Sequence, residues 1–389
     1  MRRRTRWWLA LLIVAGSANI APATSVSLAD PTVVLERLPS SARAYRDART
    51  PLERTRLARE RLALAHERDD PALAAQAYAL LRAIPASERS ADAWFGLAAA
   101  QQYLHDFDAS VRAYLVGLRA RPEDAGRWLE LAQVLKIDGA VADARRACVN
   151  AGTAGLARIA TVCELELRVL GTVDADDGAS RQLQVLRTDA SPLVSAWALQ
   201  TQLELCRQGP GADKRCAPFD ETVRAWRALR SVFPSQERYL RAAEAAAWLR
   251  NGDVAGAHEA LRVLAPIAGS DKSLLLTARA QKILGDAGLQ ETRALMTQRQ
   301  RDAVQLGASG GRHAREYAQF ELYVNERPEL ALRWAQDNLR LQREAQDYVL
   351  AWQAAAAAGR TPLAMQLRTD AQRRGWSISE SQWRVPVDY

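Results

Sequence analysis

Four cysteines and four histidines are the residues of this 389-residue chain best suited to nucleophilic, metal or redox chemistry. The cysteines are Cys148, Cys163, Cys206 and Cys216; the histidines, His66, His105, His258 and His313, lie far apart. A cysteine nucleophile needs a base within hydrogen-bond reach, and the local sequence suggests no such Cys/His arrangement. A C-x-x-C spacing that would hold zinc is also missing. Glu164 and Glu166 flank an apolar position, but residues two apart on a helix do not face each other, so they make a poor acid–base pair. His105 falls in a turn, a position that is usually solvated, while His66 and His258 read as helix-surface residues. The run Asp174, Asp176, Asp177, Gly178 has the outline of a calcium loop without the alternating ligands or the terminal glutamate. Gly307-Ala308-Ser309-Gly310-Gly311 lacks the Lys-Ser/Thr of a phosphate loop, and no strand precedes it. No G-x-S-x-G, H-E-x-x-H or dinucleotide fingerprint occurs. The chain therefore reads as a non-enzymatic protein with no catalytic residue, no cofactor and no metal.

The cysteines have another use. An even number in an oxidising compartment suggests disulfides, and four cysteines allow three connectivities. The expected pairs are Cys148 with Cys163, stapling two consecutive helices, and Cys206 with Cys216, closing the Gln208-Gly209-Pro210-Gly211 loop. Free buried thiols are the alternative. The oxidising compartment is itself inferred from residues 1–29. Arg2, Arg3, Arg4 and Arg6 precede a short apolar run from Trp7 to Ala15, and small residues follow, as in a cleavable signal peptide. That run is far shorter than the ~20 residues of a membrane-spanning helix. A periplasmic or secreted location follows, with a retained leader as the competing reading. No other segment is apolar enough to cross a membrane. The leader arginines account for half of the net charge of +8. The remaining arginines alternate with Glu, Asp and Gln as on a solvated helix face, so nucleic acid is not an expected partner.

The elements that would carry any site are helices. After residue 50 apolar residues recur at helical spacing, and alternating Val, Ile and Thr runs are almost absent. Thr50-Pro51-Leu52-Glu53 offers an N-cap, a first-turn proline and a capping-box glutamate, and Asp70-Pro71 repeats the first two signals. Breakers recur at Ile84-Pro85, Arg121-Pro122, Asp138-Gly139, Asn251-Gly252, Arg327-Pro328 and Gly359. The fold class is all-α.

A period of thirty-four residues runs through 91–158. Trp94, Leu97, Ala98, Ser110, Tyr114 and Gly117 are followed one period later by Trp128, Leu131, Ala132, Ala144, Cys148 and Ala151. This spacing resembles the tetratricopeptide (TPR) family, in which small residues let two antiparallel helices approach and large ones fill the gap to the next pair. Ala245, Trp248, Gly252, Ala257 and Leu261 suggest a third unit, and Ala331 and Ala364 mark two weaker ones. The resemblance implies roughly nine helical pairs stacked as a right-handed superhelical solenoid. The organisation expected is a leader over 1–29, a helical pair in 30–90 and two clear units in 91–158. Irregular disulfide-bearing pairs in 159–235 and degenerate pairs in 236–375 follow. A non-helical tail, 376–389, would lie over the last pair.

In TPR proteins the first helices line a concave groove that takes up a peptide or a partner's helix. Carried onto this chain, the groove residues are Asp92, Phe95, Ala99, Gln102, Leu129, Gln133 and Lys136. They lack the Lys, Arg and Asn cluster that clamps a peptide carboxylate. The function implied is an exported scaffold that binds protein partners in a bacterial envelope or secretion assembly. The alternative is a glycan- or peptidoglycan-binding or -active protein, which would need a row of exposed tryptophans.

Overall fold

A computed structural model describes residues 48–68, 70–171, 177–206, 219–232, 237–249, 252–267, 269–305 and 312–384. The described residues form helices and no strand. The chain divides into two compact units, whose described parts are 48–121 and 122–384.

The first unit holds two helical hairpins. Its first helix, α1 (Pro51–Arg68), begins at the expected capping box: Thr50 Oγ1 accepts from the Glu53 amide at 3.2 Å, and Glu53 Oε2 accepts from the Thr50 amide at 3.0 Å. Asp70 caps α2 (Pro71–Arg82), accepting from the Ala72 amide at 2.8 Å, with proline at the first helical position. The second hairpin is α3 (Ala91–Tyr103) and α4 (Phe107–Ala120), capped by Ser90 and Asp106. Its helices cross where the small residues stand. Ser110 Oγ donates to the Ala98 carbonyl at 2.8 Å, and Gly117 lies so close to the Phe95 ring that a Cβ would stand 2.4 Å from it.

The second unit continues with α5 (Ala125–Ile137) and α6 (Val141–Ala151), then α7 (Ala157–Gly171) and α8 (Asp177–Leu186). Next come α9 (Pro192–Cys206), α10 (Phe219–Val232), α11 (Glu237–Trp248) and α12 (Val254–Leu264). The last pairs are α13 (Asp271–Leu284) with α14 (Leu289–Gln305), α15 (Ala314–Gln319) with α16 (Pro328–Leu339), and α17 (Ala345–Ala357) with α18 (Thr361–Arg373). Each odd-numbered helix packs on the even-numbered one after it, and within this unit each odd-numbered helix also touches the next odd-numbered one. Within this unit the odd helices thus form a continuous row.

Helical hairpins recur with a backbone signature. Residues in the left-handed region close the turns: His105 at φ 61° and Gly139 at 76° stand thirty-four apart. Gly252 (66°) and Gly285 (63°) stand thirty-three apart, as do Glu326 (58°) and Gly359 (69°). His105 departs from the sequence expectation. It is buried, its ring 5.5 Å from that of Phe107, because the left-handed turn folds the imidazole back onto α4. His66 is half-buried against Tyr103, the rings 5.1 Å apart edge to face, whereas His258 is exposed as expected.

The Cys148–Cys163 disulfide joins α6 to α7 with the Cα atoms 5.8 Å apart, and both residues are buried. The expected partner Cys216, Asp174 and Asp176 of the acidic run, and the glycine run at 307–311 lie outside the described residues, while Asp177 and Gly178, expected in a loop, open α8. The tail, read from sequence as lacking helix, contains a short one, α19 (Glu380–Arg384). Trp376 and Trp383 bury into the apolar cluster of the last two pairs, and Gln353 Nε2 donates to the Trp383 carbonyl at 3.0 Å. No described helix is long and apolar enough to cross a membrane.

Candidate functional site

The expected groove residues divide between two helices. On α3, Phe95 is buried beside Tyr114, with ring centroids 6.4 Å apart and the Arg121 guanidinium 5.1 Å above its ring. Gln102 is also buried, and its carboxamide makes no hydrogen bond among the described residues. Asp92 is half-exposed, paired with Arg121 and 3.6 Å from Arg59, and Ala99 is half-buried. Asp92 and Ala99 are therefore the α3 positions that a partner could reach.

On α5, Leu129 and Gln133 are buried and Lys136 is nearly so. Their surroundings are the notable polar site of the second unit. Gln133 Nε2 donates to Glu166 Oε2 at 3.1 Å, and Lys136 Nζ donates to Glu166 Oε1 at 3.0 Å, joining α5 to α7. Lys136 Nζ also lies 3.7 Å from Glu344 Oε1, at the N-terminus of α17. Glu344 in turn accepts from Arg315 at 3.1 Å, and Arg315 grips both oxygens of Asp347 at 2.7 Å each. Asn338 Nδ2 and the Glu344 amide complete the Asp347 shell at 2.7 and 2.9 Å.

Burial penalises charge, so this cluster survives only because its ions compensate one another. Burial alone would lower the Lys136 ammonium, but the carboxylates of Glu166, Glu344 and Glu204 outweigh it and hold the ammonium well above its ordinary value. Glu344 is buried as well, yet Lys136 and Arg315 hold its carboxyl below the usual range. Burial pushes Asp347 up, while the four donors on its two oxygens keep it in an acceptor's geometry. Groups locked in this way are fixed ions that tie helices together.

A second cluster behaves alike. Tyr317 donates its hydroxyl to Asp271 Oδ2 at 3.0 Å, Arg299 pairs with Oδ1, and His313 Nδ1 lies 3.6 Å from Oδ2. Burial, reinforced by the Asp271 charge, raises the phenol above its ordinary value, so it keeps its proton. Among the described residues no group of three or more His, Cys, Asp and Glu is arranged to hold a metal ion.

Gln133 and Lys136 are the members of the first cluster that the groove pattern singles out. Glu166 carries a signal that could have found it, being a carboxylate between Leu165 and Leu167 in a helix with little other polar content on that face. Arg315, Glu344 and Asp347 carry none, because their charged partners lie in another hairpin, and for Glu344 one of them, Lys136, lies about two hundred residues away.

Compared with known proteins, the chain matches no protein-family model, and no curated sequence matches it.

Proposed function

We propose that this chain is a TPR-like scaffold: a right-handed superhelical array of helical hairpins, exported, that binds protein partners and performs no chemistry of its own. The observation that carries the reading is the recurrence of left-handed turn residues at a spacing of thirty-three or thirty-four, each closing a helical hairpin. Small residues at the crossings, Gly117 under Phe95 and Ser110 on Ala98, support it. The Cys148–Cys163 disulfide supports an oxidising, extracytoplasmic compartment such as the periplasm. The reachable part of the expected groove on α3, Asp92 and Ala99, is where a partner would first be sought.

The glycan-binding alternative needs exposed aromatic platforms. None of the nine tryptophans among the described residues is exposed, which leaves that reading without support.

The test is affinity purification of the tagged full chain from envelope extract after mild cross-linking, with mass spectrometry of what accompanies it. A dominant partner protein whose recovery is lost in the Asp92→Arg/Ala99→Arg variant is the expected result. Glycan fragments, or nothing reproducible, would overturn the proposal.

A further inference from the structure

Turns far apart in the chain meet and close the second unit on itself. The Arg343 amide donates to the Ile137 carbonyl at 2.7 Å, and the Arg343 guanidinium pairs with Asp138. Arg374 reaches the Asp138 carbonyl at 3.1 Å, and Trp376 Nε1 donates to the Arg343 carbonyl at 2.9 Å. Gly139 permits the approach, since a Cβ at that position would stand 2.6 Å from the Arg343 carbonyl oxygen. Val141 supplies the apolar part, joining the core cluster of the C-terminal pairs.

The contact differs in kind from those that hold the hairpins. The apolar clusters run from one hairpin into the next, whereas α5 and α6 do not pack along their lengths against α17 or α18. The contact's ion pair, Arg343 with Asp138, is partly solvated, and an ion pair of that kind is weak. The ion cluster beneath it also divides cleanly. Lys136, Glu166 and Gln133 satisfy one another on one side; Arg315, Glu344, Asp347 and Asn338 do so on the other. The 3.7 Å approach of Lys136 to Glu344 joins the halves. Separating them leaves Glu166 with Lys136, and Glu344 and Asp347 with Arg315, so each carboxylate keeps a cationic partner although Glu344 loses one of its two.

We infer that this contact is a reversible latch, in which the C-terminal pair α17–α18 and its tail release the α5–α6 turn without either pair unfolding, uncovering Lys136 and Glu344. The inference stands whether or not the uncovered face binds a partner.

Hydrogen exchange followed by mass spectrometry on the intact, oxidised chain tests it. With NaCl raised from about 50 to about 500 mM to screen the ion pairs, amides at 137–141 and 340–346 should exchange faster together. About a tenfold rise is expected in Arg343→Ala, with the amides of α9 and α16 unchanged, as for a local opening. Unchanged protection at both turns would overturn the latch. So would a rise shared by every helix of the unit, which would make the contact part of the cooperative fold. The salt series on the unaltered chain decides between these outcomes even if the variant fails to fold.

Discussion

Asp138 and Arg343 stand 205 residues apart in the chain and form an ion pair between two turns. In a repeat array each hairpin ordinarily contacts only its neighbours, so this pair sets the place of the last hairpin against an early one. Both side chains keep about a fifth of their surface exposed, which places the pair between a surface bridge and a buried one. A double-mutant cycle with Asp138→Ala and Arg343→Ala should therefore give a coupling of about 0.5–1.5 kcal/mol in urea unfolding. Additive single effects would mean that the two side chains act separately.

Lys136 has a larger role. Glu166 is fully buried and accepts from both Lys136 and Gln133. Lys136→Met would leave that carboxylate buried with only an amide donor, an arrangement that costs about 3 kcal/mol. Adding Glu166→Gln removes the stranded charge and should recover most of the loss. Urea unfolding followed by tryptophan fluorescence reads both. A single variant within about 0.5 kcal/mol of the parent would show that the pair contributes little.

Gly139 and Gly359 share a left-handed backbone but not their surroundings. Nothing lies within 4 Å of a Cβ built on Gly359, whereas the Arg343 carbonyl obstructs one on Gly139. Gly359→Ala should cost about 1 kcal/mol for conformation alone. Gly139→Ala should cost at least about 1 kcal/mol more, because the closing turn must also move. Thermal unfolding of the two variants side by side gives the difference, and equal losses would refute the steric part of the argument.

Much of this molecule can be read from local signals. The capping box at Thr50 and Glu53, the Asp70-Pro71 start and the glycines in the hairpin turns each work through neighbours a few residues away, so sequence exposes them. The Cys148–Cys163 bridge falls in the same class, since the helices it staples are consecutive. Lys136 stands out by its place on α5, but what it does there depends on Glu344, which periodicity cannot connect to it. A repeat pattern encodes contact between successive hairpins and says nothing about a turn that docks on one two hundred residues away. The TPR resemblance places Phe95, Gln102, Leu129 and Gln133 in a groove, whereas the structure buries them. Their burial reflects how tightly the helices approach, which depends on Gly117 for Phe95 and on Glu166 for Gln133.

The disulfide closes a short loop, its cysteines fifteen positions apart. Closing a loop of that length restricts the unfolded chain by about 3 kcal/mol on the chain-entropy account. Cys148→Ala/Cys163→Ala should lower stability by an amount of that order. Dithiothreitol during unfolding should reproduce the loss in the parent and leave the variant unaffected. An effect below about 0.5 kcal/mol would indicate that the unfolded chain already holds α6 near α7.

His66 should make the first unit sensitive to acid. Burial lowers its imidazole from an ordinary 6.5 to about 4 in the folded chain. Between those values the unfolded chain binds a proton that the folded chain refuses, so stability rises with pH across that window and is lost as pH falls through it. Above pH 6.5 the ring is neutral in both states and contributes no slope. Because the ring is half-buried, water screens part of this burial penalty, and by pH 5 a loss of about 1 kcal/mol is expected. Other groups add their own slopes, and a substitution isolates this one. His66→Phe keeps an aromatic ring near Tyr103 and removes the titrating group, so its stability should fall less between pH 7 and pH 5 than that of the parent. Identical pH profiles for the two proteins would show that the imidazole is solvated in the folded chain.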